Sequence, residues 1–165
     1  QEIQRKVADM ARRISGDFGG KEPIMVGVLK GAFIFMADLC RLVDIPVKVD
    51  FMAVSSYGAA TESSGVVKIL KDLDEPIEGK NVILVEDIID TGLTLKYLED
   101  LLLARRPASL DVCALVNKPS RRMVKLPVEP RYVGFEIPDV FVVGYGLDCG
   151  GLYRNVPELC RLESQ

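Results

Sequence analysis

The sequence contains no histidine and no tryptophan among its 165 residues. Without histidine, the Ser-His-Asp and Cys-His nucleophilic arrangements are excluded, as are the usual histidine-ligated zinc enzymes. Acid–base chemistry at neutral pH must then fall to carboxylates, lysine, tyrosine or a bound ion. Cysteine is sparse. Cys40, Cys113, Cys149 and Cys160 form no close pair, so neither a zinc site nor a redox dithiol is indicated. They read as reduced thiols of a cytoplasmic protein. No apolar run approaches the ~18 residues of a membrane span. There is no signal peptide, although the chain opens at Gln1 without Met, which leaves room for residues upstream. An excess of positive charge is also missing: the formal net charge is −3, which argues against a general nucleic-acid binder. A local basic pocket for a phosphorylated small molecule stays compatible with that balance.

What is present suits one soluble domain over residues 1–165, with 48% apolar and 27% charged residues. Ile3, Val7, Met10, Ala11 and Ile14 recur at helical spacing. After a glycine-rich break, Ile24–Leu29 reads as a buried strand, Ala32–Val43 as a helix and Val47–Val54 as a strand. Ser55–Gly65 reads as a mobile loop and Val66–Leu70 as a short strand. The clearest unit follows. Asn81–Val85 is a buried strand, Glu86–Gly92 a polar turn, Thr94–Ala104 a helix and Leu110–Val116 a strand. Strand, helix, strand in that order is a right-handed crossover in a parallel sheet. Tyr132–Phe135 and Phe141–Val143 are late strands, and any helix after Arg154 is short. The class is therefore α/β, a mainly parallel twisted sheet with helices on both faces. Ligands of such sheets bind beyond the carboxyl ends of the strands, which brings together the loops after Leu29, Val85 and Val116.

The segment Glu86–Thr94 carries the chemistry. Asp90–Thr94 lies at a helix start, where free N–H groups and the positive end of the dipole face outward. Thr91 and Thr94 add hydroxyls, and Gly92 allows close backbone approach, so a phosphate monoester fits there. Glu86 and Asp87 are acceptors facing the same crevice. Beside a phosphate they need hydroxyls or a divalent cation, and a ribose diol with magnesium satisfies both. The alternative is that Asp90 and Thr91 merely cap the helix. Adjacent carboxylates at a buried strand end favour the ligand reading, because such groups are rarely left without a partner.

The run Val85-Glu-Asp-Ile-Ile-Asp-Thr-Gly-Leu-Thr94 resembles the diphosphoribosyl-binding signature of type I phosphoribosyltransferases. Four further segments resemble the hypoxanthine–guanine branch in its bacterial form: Leu29–Phe33, Ser55–Gly58, Asn117–Pro119, and Val133–Asp139 running on to Val143–Asp148. The resemblance covers nearly the whole chain and implies a type I phosphoribosyltransferase fold with a small hood from the chain ends. It also implies transfer of ribose 5-phosphate from 5-phosphoribosyl 1-diphosphate to purine N9, with Mg2+ as cofactor and a homodimer or homotetramer as the assembly.

Roles follow residue by residue from that resemblance. Glu86 and Asp87 hold the ribose hydroxyls and, with Asp148, the metal. Asp90, Thr91, Gly92, Leu93 and Thr94 hold the 5′-phosphate, and Asp90 is the general acid–base. Lys30, Gly31 and Arg154 meet diphosphate, and the Leu29–Lys30 bond can be cis. Ser56 and Tyr57 form a lid. Lys118 donates to the purine O6, Phe141 stacks on the ring, Val142 offers backbone groups, and Leu147 belongs to the same purine-binding segment. A lysine ammonium is only a donor, so it favours a keto oxygen over an amino group. Blander alternatives stand beside these roles: a solvated loop lysine for Lys118, a core position for Phe141, a plain surface loop for Ser55–Gly65. Arg121 and Arg122 hold phosphate or lie on the surface. The Cys149-Gly150-Gly151 stretch departs from the family pattern and predicts a looser loop between Asp148 and Arg154. A regulator that senses the same donor and binds nucleic acid is the alternative function. The intact Asp90 and the lack of basic excess count against it.

Overall fold

The computed structural model describes residues 1–56 and 67–163. Helix α1 (Glu2–Asp17) leads into β1 (Ile24–Leu29), α2 (Phe33–Leu42), β2 (Lys48–Ser56), β3 (Val67–Lys71), β4 (Asn81–Ile89), α3 (Leu93–Ala104), β5 (Ser109–Asn117) and β6 (Tyr132–Glu136). These strands form one six-stranded sheet in the order β3-β2-β1-β4-β5-β6. All its pairs are parallel except β2–β3. Two short late strands, β7 (Val142–Val143) and β8 (Cys160–Arg161), pair apart from it. The terminal segment thus ends in a strand, and no helix follows Arg154 among the described residues. Gln1–Gln4 and Pro157–Leu159 line one groove, so the two chain ends meet beside this small second sheet.

Strand alternation explains why both faces of the sheet are covered. Ile83, Val85, Cys113 and Leu115 point into a core closed by Val7, Met10 and Ile14 of α1 and by Phe35, Met36 and Leu39 of α2. Val82, Leu84, Val112 and Ala114 point the other way, onto Leu95, Leu98 and Leu102 of α3. Parallel strands buried on both faces read as continuous apolar runs, which is the pattern of Val82–Val85 and Val112–Val116. No helix among the described residues is long and apolar enough to cross a membrane.

One expectation about β4 is corrected. Glu86 and Asp87 do not start a turn, because the strand runs on to Ile89. The reason is the neighbouring strand: β5 offers Ala114 to Glu86, Val116 to Ile88 and Asn117 to Ile89. Polar side chains do not end a strand while the ladder continues beside it. Similarly, β2 extends through Ser56, so Ser55 and Ser56 lie in a strand and not in the expected loop, whose remaining residues, Tyr57 among them, lie outside the described residues.

Candidate active site

The carboxyl ends of β1 and β4, the N-terminus of α3 and the late Asp148–Arg154 segment enclose a cavity of 330 Å³. Gly31, Glu86, Asp87, Asp90, Thr91, Gly92, Thr94, Asp148 and Arg154 line it. Of the three loops expected from topology, those after Leu29 and Val85 line this cavity, while the loop after Val116 contributes no lining residue. The Leu29–Lys30 peptide bond is cis. At Gly31, a Cβ would meet Asp87 Oδ2 at 1.6 Å, so only glycine lets that carboxylate sit against the loop.

The segment expected to cradle a phosphate is built by one backbone reversal. Gly92, with φ of +84°, precedes α3 and supplies no side-chain cap. Asp90 does not cap the helix either. Its Oδ1 accepts from Arg121 Nε at 3.0 Å, and its Oδ2 lies 3.9 Å from Lys118 Nζ. Only Thr91 makes a local bond, accepting the Leu93 N–H at 3.4 Å. Beyond that bond, no side chain among the described residues caps the helix start, which leaves its other N–H groups and the dipole open to an anion. Behind the reversal, Arg122 donates to the Asp90 carbonyl at 3.4 Å and to Asn117 Oδ1 at 2.6 Å. Arg121 stays 45% exposed while it contacts Asp90, Arg122 is half-buried, and neither lines the cavity.

Glu86 is 6% exposed, and its carboxyl is pushed well above the usual range by burial and then by the charges of Asp87 and Glu99. Burial also pushes the Asp87 carboxyl up to about 6; the Ile88 N–H and Arg154 pull it down, and Asp148 opposes them. Two adjacent carboxylates with raised pKa values lack sufficient positive charge, so they are suited to donors or a cation arriving with a ligand. Asp148 is held by Arg154 at 3.0 Å and by the Gly151 N–H at 2.7 Å.

The intervening Cys149-Gly150-Gly151-Leu152 stretch is tight, not loose. Cys149 and Leu152 exchange both backbone hydrogen bonds at 3.1 Å, with φ of +61° and +84° at the two glycines. Positive φ at both central positions is the turn that matches strand twist, and two glycines adopt it without a steric penalty. The double glycine thus fixes the spacing of Asp148 and Arg154.

Lys118 is 4% exposed, which removes the solvated-loop alternative. Phe141 is 53% exposed, so it is not a core residue. Leu147 is buried, and Val142 is half-buried in β7. Neither Phe141 nor Val142 lines the Asp90 cavity itself. The segment that carries Phe141, Val142 and Leu147 is nevertheless locked to the loop after β1: a Cβ at Gly146 would meet the Gly31 carbonyl oxygen at 2.2 Å. Arg154 also donates to the Gly146 carbonyl at 2.7 Å.

The sequence model of the phosphoribosyl transferase domain matches residues 1–149. The chain belongs to that family. Among phosphoribosyltransferases, the hypoxanthine phosphoribosyltransferase of Salmonella typhimurium is 52% identical over 158 residues, spanning 94% of this chain and 88% of that protein. The hypoxanthine-guanine phosphoribosyltransferase of Aquifex aeolicus is 51% identical over 99% of this chain and 91% of its own length. The crystal structure of a hypoxanthine-guanine phosphoribosyltransferase from Bacillus anthracis superposes with a TM-score of 0.92 at 50% identity, covering 98% of this chain and 94% of that one. This phosphoribosyltransferase therefore has the type I fold expected from its sequence.

Glu99 was not singled out by sequence reasoning, although its place four residues after Leu95 puts it on the apolar face of α3. It is fully buried, with Oε1 unpartnered among the described residues and Oε2 accepting from the Val128 N–H at 3.4 Å. Burial pushes its carboxyl up to about 7; Glu129 and Asp100 add to this, while the Val128 bond and Arg122 oppose it. An unfolded glutamate loses its proton near pH 4.3. The native state therefore binds more protons between about pH 4.5 and 7, and stability falls as pH rises through that window. Glu99→Gln is expected to flatten this slope and to stabilise the protein at pH 8 by ~1–3 kcal/mol. Urea unfolding at pH 5.5 and pH 8 measures it, and an unchanged slope would contradict the assignment.

Proposed function

We propose that the chain, acting as one domain over residues 1–165, transfers the 5-phosphoribosyl group from 5-phosphoribosyl 1-diphosphate to N9 of hypoxanthine or guanine. The products are IMP or GMP and diphosphate, which makes it a purine-salvage enzyme. The family and the names of its relatives support the reaction. The observation that carries the assignment to this site is the pairing of Asp90, at the phosphate cradle, with the buried cation Lys118.

In this reading the Thr91–Thr94 backbone and hydroxyls grip the 5′-phosphate, and Glu86 and Asp87 take the ribose hydroxyls. Lys30, Gly31 and Arg154 face the diphosphate. As the C1′–diphosphate bond breaks and the N9–C1′ bond forms, Asp90 accepts the proton from purine N7. The transition state resembles an oxocarbenium ion, so positioning and electrostatics do most of the work. Ser56 and Tyr57 are assigned to a lid that excludes water.

Magnesium suits the donor set. Among the described residues, no three metal-ligating side chains gather closely enough to hold an ion alone. Magnesium commonly uses one or two carboxylates together with substrate phosphates and water. Asp148 and the Glu86–Asp87 pair would share it with the substrate, and the ion would neutralise charge on the diphosphate. A cytoplasmic homodimer or homotetramer completes the proposal.

Relative turnover of hypoxanthine, guanine, xanthine and adenine with donor and magnesium tests it. Strong preference for the 6-oxopurines is expected, and no turnover of any base would sink the proposal. Lys118→Ala is expected to raise KM for the base by roughly tenfold or more while changing donor KM little, the cost of one charged hydrogen bond. The reverse pattern would reassign Lys118 to the donor.

A further inference from the structure

Lys118 precedes and Arg121 ends the short 3-10 helix Pro119–Arg121, and the Arg121 N–H donates to the Lys118 carbonyl at 3.1 Å. Residues three apart eclipse each other on a 3-10 helix. Both cations therefore face one carboxylate, Asp90, from the same side. Arg121 also reaches further. Its Nε lies 3.0 Å from Asp90 Oδ1, while its Nη1 lies 3.5 Å from Asp139 Oδ2. Asp139 belongs to the segment that follows β6 and carries Phe141. At its start this segment is tied to β5 by the Ile137 N–H donating to the Asn117 carbonyl at 3.0 Å.

We propose that Arg121 is a positioning residue that couples the Asp139–Phe141 segment to the Asp90 carboxylate, setting the base-binding edge of the site at a fixed distance from the proton-transfer group. This rests on the assignment of Asp90 and of a purine acceptor made above. A guanidinium suits the task because its rigid planar fork presents separate donors to two carboxylates at once. A lysine ammonium on a flexible stem satisfies one of them. In the free protein all three groups are partly exposed, so the network contributes little to stability. A bound base that displaces water would strengthen it.

The test separates two contacts of one side chain by steady-state kinetics. Arg121→Ala is expected to raise KM for hypoxanthine roughly tenfold and to lower kcat by about fivefold, with donor KM within about twofold of wild type. Arg121→Lys should restore most of kcat, through the Asp90 contact, and leave base KM high. Asp139→Ala should raise base KM alone, and should add nothing in the Arg121→Ala background. A merely structural role would not divide kcat from base KM in this way. Wild-type constants in Arg121→Ala, or independent additive effects of Arg121→Ala and Asp139→Ala, overturn the inference. Wild-type protein that turns over none of the four bases overturns the parent reading instead, so the two failures are distinguishable.

Discussion

Asp90→Asn is expected to lower turnover by roughly 10²- to 10⁴-fold, the usual contribution of a positioned general acid–base. The exchange keeps size and shape. The asparagine carbonyl can still accept from Arg121, which meets Oδ1 at 3.0 Å in the native site. The reversal at Gly92 and the free N–H groups of α3 do not depend on the Asp90 carboxylate. Donor affinity should therefore change only a few-fold, an outcome that titration of the inactive variant with donor measures directly. Lack of histidine removes the obvious substitute for the missing proton acceptor. Turnover equal to wild type would remove Asp90 from the chemistry.

Gly31→Ala is expected to be nearly as damaging, for a steric reason. The added methyl would sit 1.6 Å from Asp87 Oδ2, closer than any non-bonded contact, so the carboxylate or the loop must move. The Gly31 carbonyl is itself pinned against Gly146, which leaves the loop little room to retreat. Asp87 would be displaced from the cavity, and an ångström of misplacement in such a site commonly costs about a hundredfold in kcat/KM. The loss should appear mainly in donor KM, with base KM affected less. Thermal unfolding of the variant distinguishes this from global destabilisation, and an unchanged donor KM would show that Asp87 does not face the donor.

Part of this site was legible before any fold was known. Glu86, Asp87 and Asp90–Thr94 lie within nine consecutive positions, and the buried run before them and the helical spacing after them place the segment at a strand–helix junction. Where the junction falls was less legible. β4 runs four residues past Val85 because β5 continues to pair with it, and a partner strand is invisible to local pattern. The Cys149–Leu152 stretch shows the same limit. Glycine pairs read as looseness, yet a type I′ turn uses both to build a tight one.

Composition and periodicity determined the α/β class and the two-faced sheet, and the lack of histidine confined acid–base chemistry to carboxylates, lysine, tyrosine or a bound ion, because these follow from residue type and spacing along one segment. The family resemblance supplied the order of the motifs. Only the tertiary structure decided that Arg121 and Lys118 converge on Asp90, that Gly146 closes on Gly31, and that Glu99 is buried where its charge acts on Glu86 and Arg122 acts on it. Those contacts join residues far apart in the chain, or set the direction of a side chain within a helix. Their energies come from close approach and from exclusion of water, which exist only once the layers have packed.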